Sequence, residues 1–252
     1  MLEKQGLYLP EFEHDNCGAG FICSLTGKRS NDIIHKALEI LVKLEHRGAV
    51  SSDGVTGDGA GILIDIPHEF FKTFCEFELP EAGQYAVSNV FLPRKENQRT
   101  YCIEVFETEI KKQGLHVLGW REVPVNSDVL GDIAKTTEPF VMQVFVGKSD
   151  PKQSEFDFNL KLFAARKISE HTIYDSKLSE SKFFYLPSLS TKIIIFKGLL
   201  KPEHINEYYL DLFNSALDTR LALVHQRFST NTFPTWDLAQ PFRYICHNGE
   251  IN

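Results

Sequence analysis

The sequence predicts an α+β domain built on two β-sheets that are covered by helices. Hydrophobic residues make up 42% of the 252 residues, and phenylalanine alone occurs 20 times. A chain of this length buries a substantial core, and so many phenylalanines suit the packing of sheets against helices. Segments of strand and helix character alternate in groups and not one by one. This grouping favours two packed sheets over a doubly wound parallel sheet.

The first half of the chain predicts both strands and helices. A short apolar run after small residues predicts a strand at 21–23. Apolar residues recur at helical spacing over 33–44, and Ser30 or Asn31 is in position to cap this helix. A Gly-rich loop follows at 51–61. The remaining elements of this half are predicted at 62–66 (strand), 67–74 (short helix), 85–92 (strand), 97–112 (helix) and 115–123 (strand).

The second half of the chain turns increasingly to sheet. Single strands are predicted at 140–146, 220–228 and 242–246. A helix is predicted at 158–168, and one of its sides carries Leu160, Phe163, Ala164 and Ile168. Two strands, at 183–186 and 192–196, flank a Pro-Ser turn and predict a hairpin.

Composition and charge exclude several classes of function. The net charge is −7 and the isoelectric point is near 5.7. An acidic chain is a poor partner for nucleic acid or for an anionic membrane surface, so we predict neither as the main partner. No apolar run in the sequence is long enough to span a bilayer, so no transmembrane helix is predicted.

The cysteines predict a reducing compartment. There are five, an odd number, and no two of them form a Cys-x-x-Cys pair. This pattern indicates neither a disulfide framework nor a zinc site, and the histidines lack ligand spacing, so no metal site is predicted. The first residues lack the basic and apolar regions of a signal peptide. We therefore predict a cytoplasmic protein in which residues 1–16 form a short acidic pro-segment that is removed.

Cys17 is the residue around which the sequence is organised. It follows Asp15-Asn16 and precedes small residues and the first strand, so it lies at the exposed start of a strand. If the chain is cut before Cys17, the freed α-amine has a pKa of roughly 7.7–8.0 and can take the thiol proton near neutral pH. The alternative is an ordinary core cysteine, because free Cys is among the most buried residue types.

Two further motifs flank this candidate nucleophile. The loop 56–61, Thr-Gly-Asp-Gly-Ala-Gly, lacks the Gly-Lys-Ser/Thr ending of a P-loop and the spacing of a dinucleotide fingerprint. It also precedes a strand, whereas a nucleotide-binding loop follows one. We interpret its glycines as permitting close backbone approach beside a site. Arg47 ends the first long helix, where a surface cation is favourable; the functional alternative is an arginine that supports the strand of Cys17.

The last third of the chain holds two candidate binding motifs. Arg227 ends an apolar strand and precedes a run of hydroxyl and amide side chains at 228–232. A guanidinium in this position suits a bidentate grip on a carboxylate, and pairing with a neighbouring acid is the alternative. Asn248-Gly249 is a typical hairpin-turn dipeptide, and its functional alternative is an oxyanion hole made from an amide side chain and a backbone N–H.

Five stretches of the chain together resemble one family. They are Cys17-Gly18-x-Gly20-Phe21, His46-Arg47-Gly48-Ala49, Thr56-Gly57-Asp58-Gly59-Ala60-Gly61, His225-Gln226-Arg227-Phe228-Ser229-Thr230-Asn231-Thr232 and His247-Asn248-Gly249-Glu250-Ile251-Asn252. These stretches are similar to the class II glutamine amidotransferase domain of the large chain of glutamate synthases. The resemblance runs from about residue 8 to the last residue. Its two C-terminal motifs, in this order and so close together, are the most specific part.

The resemblance implies a role for each site residue. Cys17 would be an N-terminal nucleophile that attacks the side-chain amide of L-glutamine, with its own α-amine as the general base. Asn248 and Gly249 would form the oxyanion hole. Arg227, with Thr230 nearby, would bind the α-carboxylate of the substrate. The function implied is hydrolysis of L-glutamine to L-glutamate and ammonia through a thioester.

The resemblance also implies a fold, partners and cofactors. The fold would be the four-layer αββα sandwich of N-terminal-nucleophile (Ntn) hydrolases, with 17–252 as an incomplete domain truncated at its C-terminus. An aspartate that binds the substrate α-ammonium in this family would lie beyond Asn252. No cofactor is implied for this chain. FMN and an iron–sulfur cluster would belong to C-terminal synthase domains that act on 2-oxoglutarate, with a small NAD(P)H-oxidising subunit as a further partner.

Two other functions remain open. One is a different Ntn amidase or amidotransferase, although a general amidase needs no carboxylate-binding arginine such as Arg227. The other is a truncated module without catalytic activity, for which retention of residues 1–16 would be evidence because Cys17 would then lack its free amine. The sequence does not identify the electron donor of a full-length enzyme, which is NADPH, NADH or ferredoxin, nor the oligomeric state.

Overall fold

The computed structural model describes residue 6 and residues 18–226 and 233–246. Within this part of the chain there are seven β-strands and six α-helices. The strands are β1 (Ala19–Cys23), β2 (Ala60–Asp65), β3 (Tyr85–Leu92), β4 (His116–Glu122), β5 (Phe140–Gly147), β6 (Ile193–Gly198) and β7 (Leu221–Gln226). The helices are α1 (Asn31–Lys43), α2 (His68–Phe74), α3 (Glu96–Lys112), α4 (Asp132–Thr136), α5 (Glu155–Tyr174) and α6 (Ile205–Tyr208).

The strands form two sheets, as the sequence predicts, and all of their pairings are antiparallel. The first sheet has the strand order β1-β7-β2-β6, and the second has the order β3-β5-β4. In the second sheet, β3 and β4 both run antiparallel to β5. The β3-α3-β4 unit therefore places two parallel strands on either side of a strand that comes later in the chain. The predicted α+β class with two sheets is confirmed.

The alternation of side chains along β3 connects the two hydrophobic clusters of the protein. Ala86, Val90 and Leu92 pack with buried residues of α3 and α5, which cover one face of the second sheet. Val87 and Phe91 point the other way and join a cluster that contains the buried side chains of the first sheet and of α1. Helices therefore cover a face of each sheet, α1 on the first sheet and α3 and α5 on the second, which is consistent with the predicted Ntn-type fold.

The first sheet is covered unevenly. On β1, a side chain at Gly20 would collide with Ile40 of α1, so this face lies against the helix. The next residue, Phe21, points to the other face and is 58% exposed. Its register partner Leu223 and the partner of Leu223 on β2, Leu63, are only partly buried. The apolar side chains on this face of β1, β7 and β2 are therefore only partly covered by the part of the chain that the structure describes. Among the described residues, no helix is both long and apolar enough to cross a membrane.

The packed side of α5 is not the side that carries Leu160, Phe163, Ala164 and Ile168. The buried residues of this helix are Phe158, Leu162, Ala165, Ser169 and Ile173. The other side is turned outward, with Leu160, Phe163 and Ile168 exposed by 56%, 54% and 43%. Because α5 carries apolar residues on both sides, periodicity alone does not select the side that packs.

Two predicted strand assignments are wrong. The segments 183–186 and 192–196 do not form a hairpin, because Tyr185 bridges to Phe91 of β3 whereas β6 pairs with β2. The backbone groups that would have paired the two segments with each other instead pair Tyr185 with β3 and β6 with β2. The predicted strand at 242–246 is a turn, in which the Phe242 N–H donates to the Ile245 carbonyl at 2.9 Å.

Candidate functional site

Three strand ends that carry or adjoin the motifs, those of β1, β2 and β7, meet at one edge of the first sheet beside the end of β6. The Gln226 N–H at the end of β7 donates to the Gly18 carbonyl, just ahead of β1, at 2.8 Å. Ala60 at the start of β2 is the register partner both of Gln226 and of Gly198 at the end of β6. Antiparallel pairing thus brings the residues that adjoin positions 17 and 227 in the chain to the same edge.

The Gly-rich loop and the stretch after Arg47 join each other at this edge. The Asp58 N–H donates to the Ala49 carbonyl at 3.1 Å, and Val50 forms a β-bridge with Gly57. Arg47, two residues before Ala49, is half-buried. Two motifs that lie apart in the sequence are therefore one local structure.

The glycines of these motifs permit close backbone approach, as predicted. A Cβ at Gly57 would lie 2.2 Å from the Leu200 carbonyl oxygen, and one at Gly61 would lie 2.4 Å from the Gln240 carbonyl oxygen. Both distances are far inside van der Waals contact with backbone atoms, which have little freedom to move away. The loop therefore brings main chain from three parts of the sequence together without intervening side chains.

Asp53 fixes the Gly-rich loop to the helix α4. Its carboxylate accepts hydrogen bonds from the Thr56 hydroxyl at 2.6 Å, from the Thr56 N–H at 2.8 Å and from the Ile133 N–H at 3.1 Å. These hydrogen bonds, the one from the Thr56 hydroxyl first, hold the pKa of Asp53 well below its usual range. The carboxylate therefore stays ionised at neutral pH and keeps the loop in register.

Residues 236–242, which we call the cover segment, lie over the start of β2 and the end of β6. Trp236 is 4% exposed and packs against Phe91 and Tyr208, with ring centroids 6.2 Å and 5.4 Å away. The Gln240 carbonyl lies over Gly61. In the chain, the described residues 233–246 connect the motif that contains Arg227 to the motif that contains Asn248.

Two buried polar side chains lie under the cover segment. His225 on β7 and Lys197 on β6 are both register partners of Gly61 on β2, so the two lie on the same face of the sheet. Both are fully buried. Burial lowers the pKa of Lys197 to about 7. Lys197 follows the apolar run 193–196 and was not among the predicted site residues.

The structure describes one of the six predicted site residues, Arg47. Cys17, Arg227, Thr230, Asn248 and Gly249 lie outside the described residues. What the structure adds is the arrangement of Gly18 and Gln226, which adjoin Cys17 and Arg227 in the chain and are hydrogen-bonded to each other. Among the described residues there is no cluster of three or more His, Cys, Asp or Glu that could hold a metal ion.

Replacing Gly61 with alanine is expected to destabilise the protein. The new methyl group would overlap the Gln240 carbonyl, so the cover segment must shift, at a cost of roughly 1–3 kcal/mol in the free energy of unfolding. For a domain of this size, that cost corresponds to a fall of roughly 2–12 °C in Tm, measurable by thermal denaturation. An unchanged Tm would contradict the close packing of Gln240 on β2.

Comparison with known proteins identifies the family. A family model described as "Glutamine amidotransferases class-II" matches residues 17–252. The chain is 46% identical over 253 residues to "Glutamate synthase [NADPH] large chain" of Bacillus subtilis (strain 168), covering 100% of this chain and 16% of that protein. It is 46% identical over 262 residues to "Glutamate synthase [NADH]" of Saccharomyces cerevisiae, covering 99% of this chain and 12% of that protein.

The similarity extends to a third type of glutamate synthase. "Ferredoxin-dependent glutamate synthase 2" of Synechocystis sp. is 40% identical over 243 residues, which cover 95% of this chain and 15% of that protein. The chain belongs to the class II glutamine amidotransferase family, as its motifs predict. It spans 12% to 16% of the length of these three glutamate synthases.

Proposed function

We propose that this chain is the glutaminase domain of a glutamate synthase and hydrolyses L-glutamine to L-glutamate and ammonia. The observation that carries the proposal is the family match, which begins at Cys17 and continues to the last residue. The identity of 46% to glutamate synthases that use different electron donors supports the same domain in each. The convergence of strand ends next to residues 17 and 227 supports a site at this edge of the sheet.

The first half of the proposed reaction forms a thioester. After removal of residues 1–16, the α-amine of Cys17 takes the thiol proton, and the thiolate attacks the side-chain amide carbon of glutamine. The Asn248 side-chain amide and the Gly249 N–H stabilise the oxyanion of the tetrahedral intermediate. The C–N bond then breaks, and the α-ammonium returns its proton to the leaving ammonia.

The second half of the proposed reaction regenerates the enzyme. The α-amine of Cys17 takes a proton from water, which attacks the thioester carbonyl, and the C–S bond breaks to release glutamate and the thiol. Arg227, with Thr230 nearby, binds the substrate α-carboxylate and keeps the amide carbon in reach of the sulfur. Arg47 supports the nucleophile from the end of the loop that follows α1. The hydrogen bond between Gln226 and Gly18 supports this arrangement, because these two residues adjoin Arg227 and Cys17 in the chain.

The proposal extends to the longer protein that carries this domain. The ammonia passes to synthase domains that combine it with 2-oxoglutarate, and a small NAD(P)H-oxidising subunit is a candidate further partner. FMN and an iron–sulfur cluster belong to those domains, and no step assigned to this chain runs through them. The cysteine pattern supports a cytoplasmic location for the whole protein.

The test is the intact mass of the purified chain before and after incubation with 6-diazo-5-oxo-norleucine, a glutamine-like alkylator. We expect a mass that lacks residues 1–16 and gains one adduct. Cys23 is a free and exposed thiol on β1, so Cys23→Ala is the matched control and should keep the adduct. Cys17→Ala should lose it. A full-length mass without an adduct would overturn the assignment of a working glutaminase site to this chain.

A further inference from the structure

A cavity of about 660 Å³ lies at the end of the sheets away from the candidate site. Its wall includes residues at the end of β2, at the end of β5 and at the starts of β3, β6 and β7, so both sheets contribute to it. Asp65, which lines the cavity, is the last residue of β2, whereas Ala60 at the candidate site is the first. The length of this strand separates the two places by roughly 17 Å.

The cavity collects cationic side chains in a chain whose net charge is −7. Four of them line it: Arg29, Lys148, Lys192 and Arg220. Lys148 follows β5, Lys192 precedes β6 and Arg220 precedes β7, so these three belong to different strand ends. Residues that are far apart in the chain are therefore brought together as one group of positive charges.

Arg220 and Lys148 keep hydrogen-bonding capacity that the described residues do not use. The exposed Arg220 guanidinium contacts the Asp65 carboxylate through Nε at 3.1 Å, and its two terminal nitrogens make no hydrogen bond to a described residue. These nitrogens form the edge of a guanidinium that binds oxyanions. Lys148 Nζ donates to the Gln153 carbonyl at 3.2 Å and pairs with no carboxylate among the described residues.

The three carboxylates that line the cavity leave this capacity available. Asp65 is buried and is already occupied by the Arg29 guanidinium, the Thr219 hydroxyl and the Arg220 N–H. Glu69 and Glu155 are exposed, so both can turn toward water. Lys192 pairs with Glu155 at 2.8 Å, but an exposed pair of this kind contributes at most about 1 kcal/mol. A bound anion can therefore replace Glu155 as the partner of Lys192.

We propose that this cavity binds the phosphoryl group of a small phosphorylated molecule through Arg220, Lys148 and Lys192. A phosphoryl group carries a charge of about −1.5 to −2 and three acceptor oxygens that point in different directions. It therefore suits cations that come from three strand ends, whereas one arginine satisfies both oxygens of a planar carboxylate. The proposal is independent of the proposed function, because none of these residues belongs to the candidate site.

The size and the other walls of the cavity indicate what carries the phosphoryl group. The volume is within the range of roughly 300–1,000 Å³ that is typical of small-molecule sites, so it exceeds the needs of an inorganic anion. The half-buried polar side chains of His68 and Gln84 also line it. Polar walls favour hydroxyl or amide groups in the rest of the ligand, so we expect a polar phosphomonoester.

The direct test is isothermal titration of the purified chain with inorganic phosphate at pH 7.5, with the ionic strength held constant with KCl. We expect one phosphate per chain with a Kd on the order of 1 mM. Malonate, a planar dicarboxylate of similar charge, should bind roughly fivefold more weakly or worse. An absence of phosphate binding, or equal binding of malonate, would overturn the proposal.

Substitutions of the lining residues should move the affinity for phosphate in both directions. Arg220→Gln and Lys148→Gln should each raise the Kd by roughly tenfold, because each removes a charge-assisted hydrogen bond. Glu155→Gln should lower the Kd by roughly threefold, because it frees Lys192 from its partner. Lys111→Gln is the matched control, since Lys111 is exposed on α3 and does not line the cavity; its Kd should equal that of the wild type. Weaker binding in Glu155→Gln would contradict the proposed site.

Thermal denaturation separates a specific site from the general stabilisation of proteins by phosphate salts. Excluded anions stabilise every variant alike. At 20 mM phosphate, the rise in Tm of the wild type should exceed that of Arg220→Gln by roughly 2–5 °C, because the variant loses affinity. If Arg220→Gln does not fold, Lys148→Gln serves for the same comparison. Equal rises in the wild type and the variant would show a salt effect only and would refute the site.

Discussion

Asn248→Ala is expected to lower the kcat of glutamine hydrolysis by about 10²–10³-fold. The Asn248 amide is proposed to donate to the oxyanion that exists only in the transition state and in the tetrahedral intermediate. Removing one such donor costs about 2.7–4 kcal/mol of transition-state stabilisation. Because the ground-state amide oxygen gains little from the same donor, the KM for glutamine should change far less than kcat.

The measurement is steady-state release of ammonia and glutamate by the processed chain. Asn97→Ala is the control for the loss of an asparagine, because Asn97 is exposed in the first turn of α3, remote from the proposed chemistry. It should retain wild-type kcat. A kcat within threefold of wild type in Asn248→Ala would show that another donor stabilises the oxyanion. A rise in KM with unchanged kcat would instead assign Asn248 to substrate binding.

Most elements of the fold were predictable because their hydrophobic periods were unambiguous. The strand at 85–92 and the helix ending at 112 were predicted within one residue of their observed bounds. The predictions failed where the local sequence pattern did not determine which part of the chain a segment would pack or pair with. The segment around Tyr185 has strand character, but its partner is β3 and not the next segment of the chain. On α5, apolar residues on both sides left the packed side undecided until the second sheet selected Phe158 and Leu162.

The candidate site was predictable to the extent that its chemistry lies in short motifs. The glycines at 57 and 61 signalled close backbone approach, and the structure confirms it. The burial of Lys197 was not predictable from its neighbours in the sequence. A lysine at the end of an apolar strand is equally typical of a side chain whose ammonium reaches solvent. Only the cover segment, which arrives from about 40 residues later in the chain, encloses this lysine completely.

Asp65→Ala is expected to cause a large loss of stability, although Asp65 lies at the far end of β2 from the site. The Asp65 carboxylate is 3% exposed at the end of β2 and accepts hydrogen bonds from the Arg29 guanidinium, from the Thr219 hydroxyl and from the Arg220 N–H. Asp65 therefore links the end of β2 to Arg29, which precedes α1, and to Thr219 and Arg220, which precede β7. Deleting it leaves the guanidinium of Arg29, only 31% exposed, without its main counter-charge.

We expect Asp65→Ala to lower the free energy of unfolding by about 3 kcal/mol, the lower end of the range for breaking a buried ion pair, because Arg29 keeps partial access to water. Tm should fall by roughly 6–12 °C. The control is Asp218→Ala, which removes the other carboxylate on Arg29; it is 35% exposed, so the loss should stay below about 1 kcal/mol. Asp65 lies at the opposite end of β2 from Ala60, so kcat at 25 °C should be unchanged. A fall in kcat without a fall in Tm would mean that the far end of the sheet controls the site.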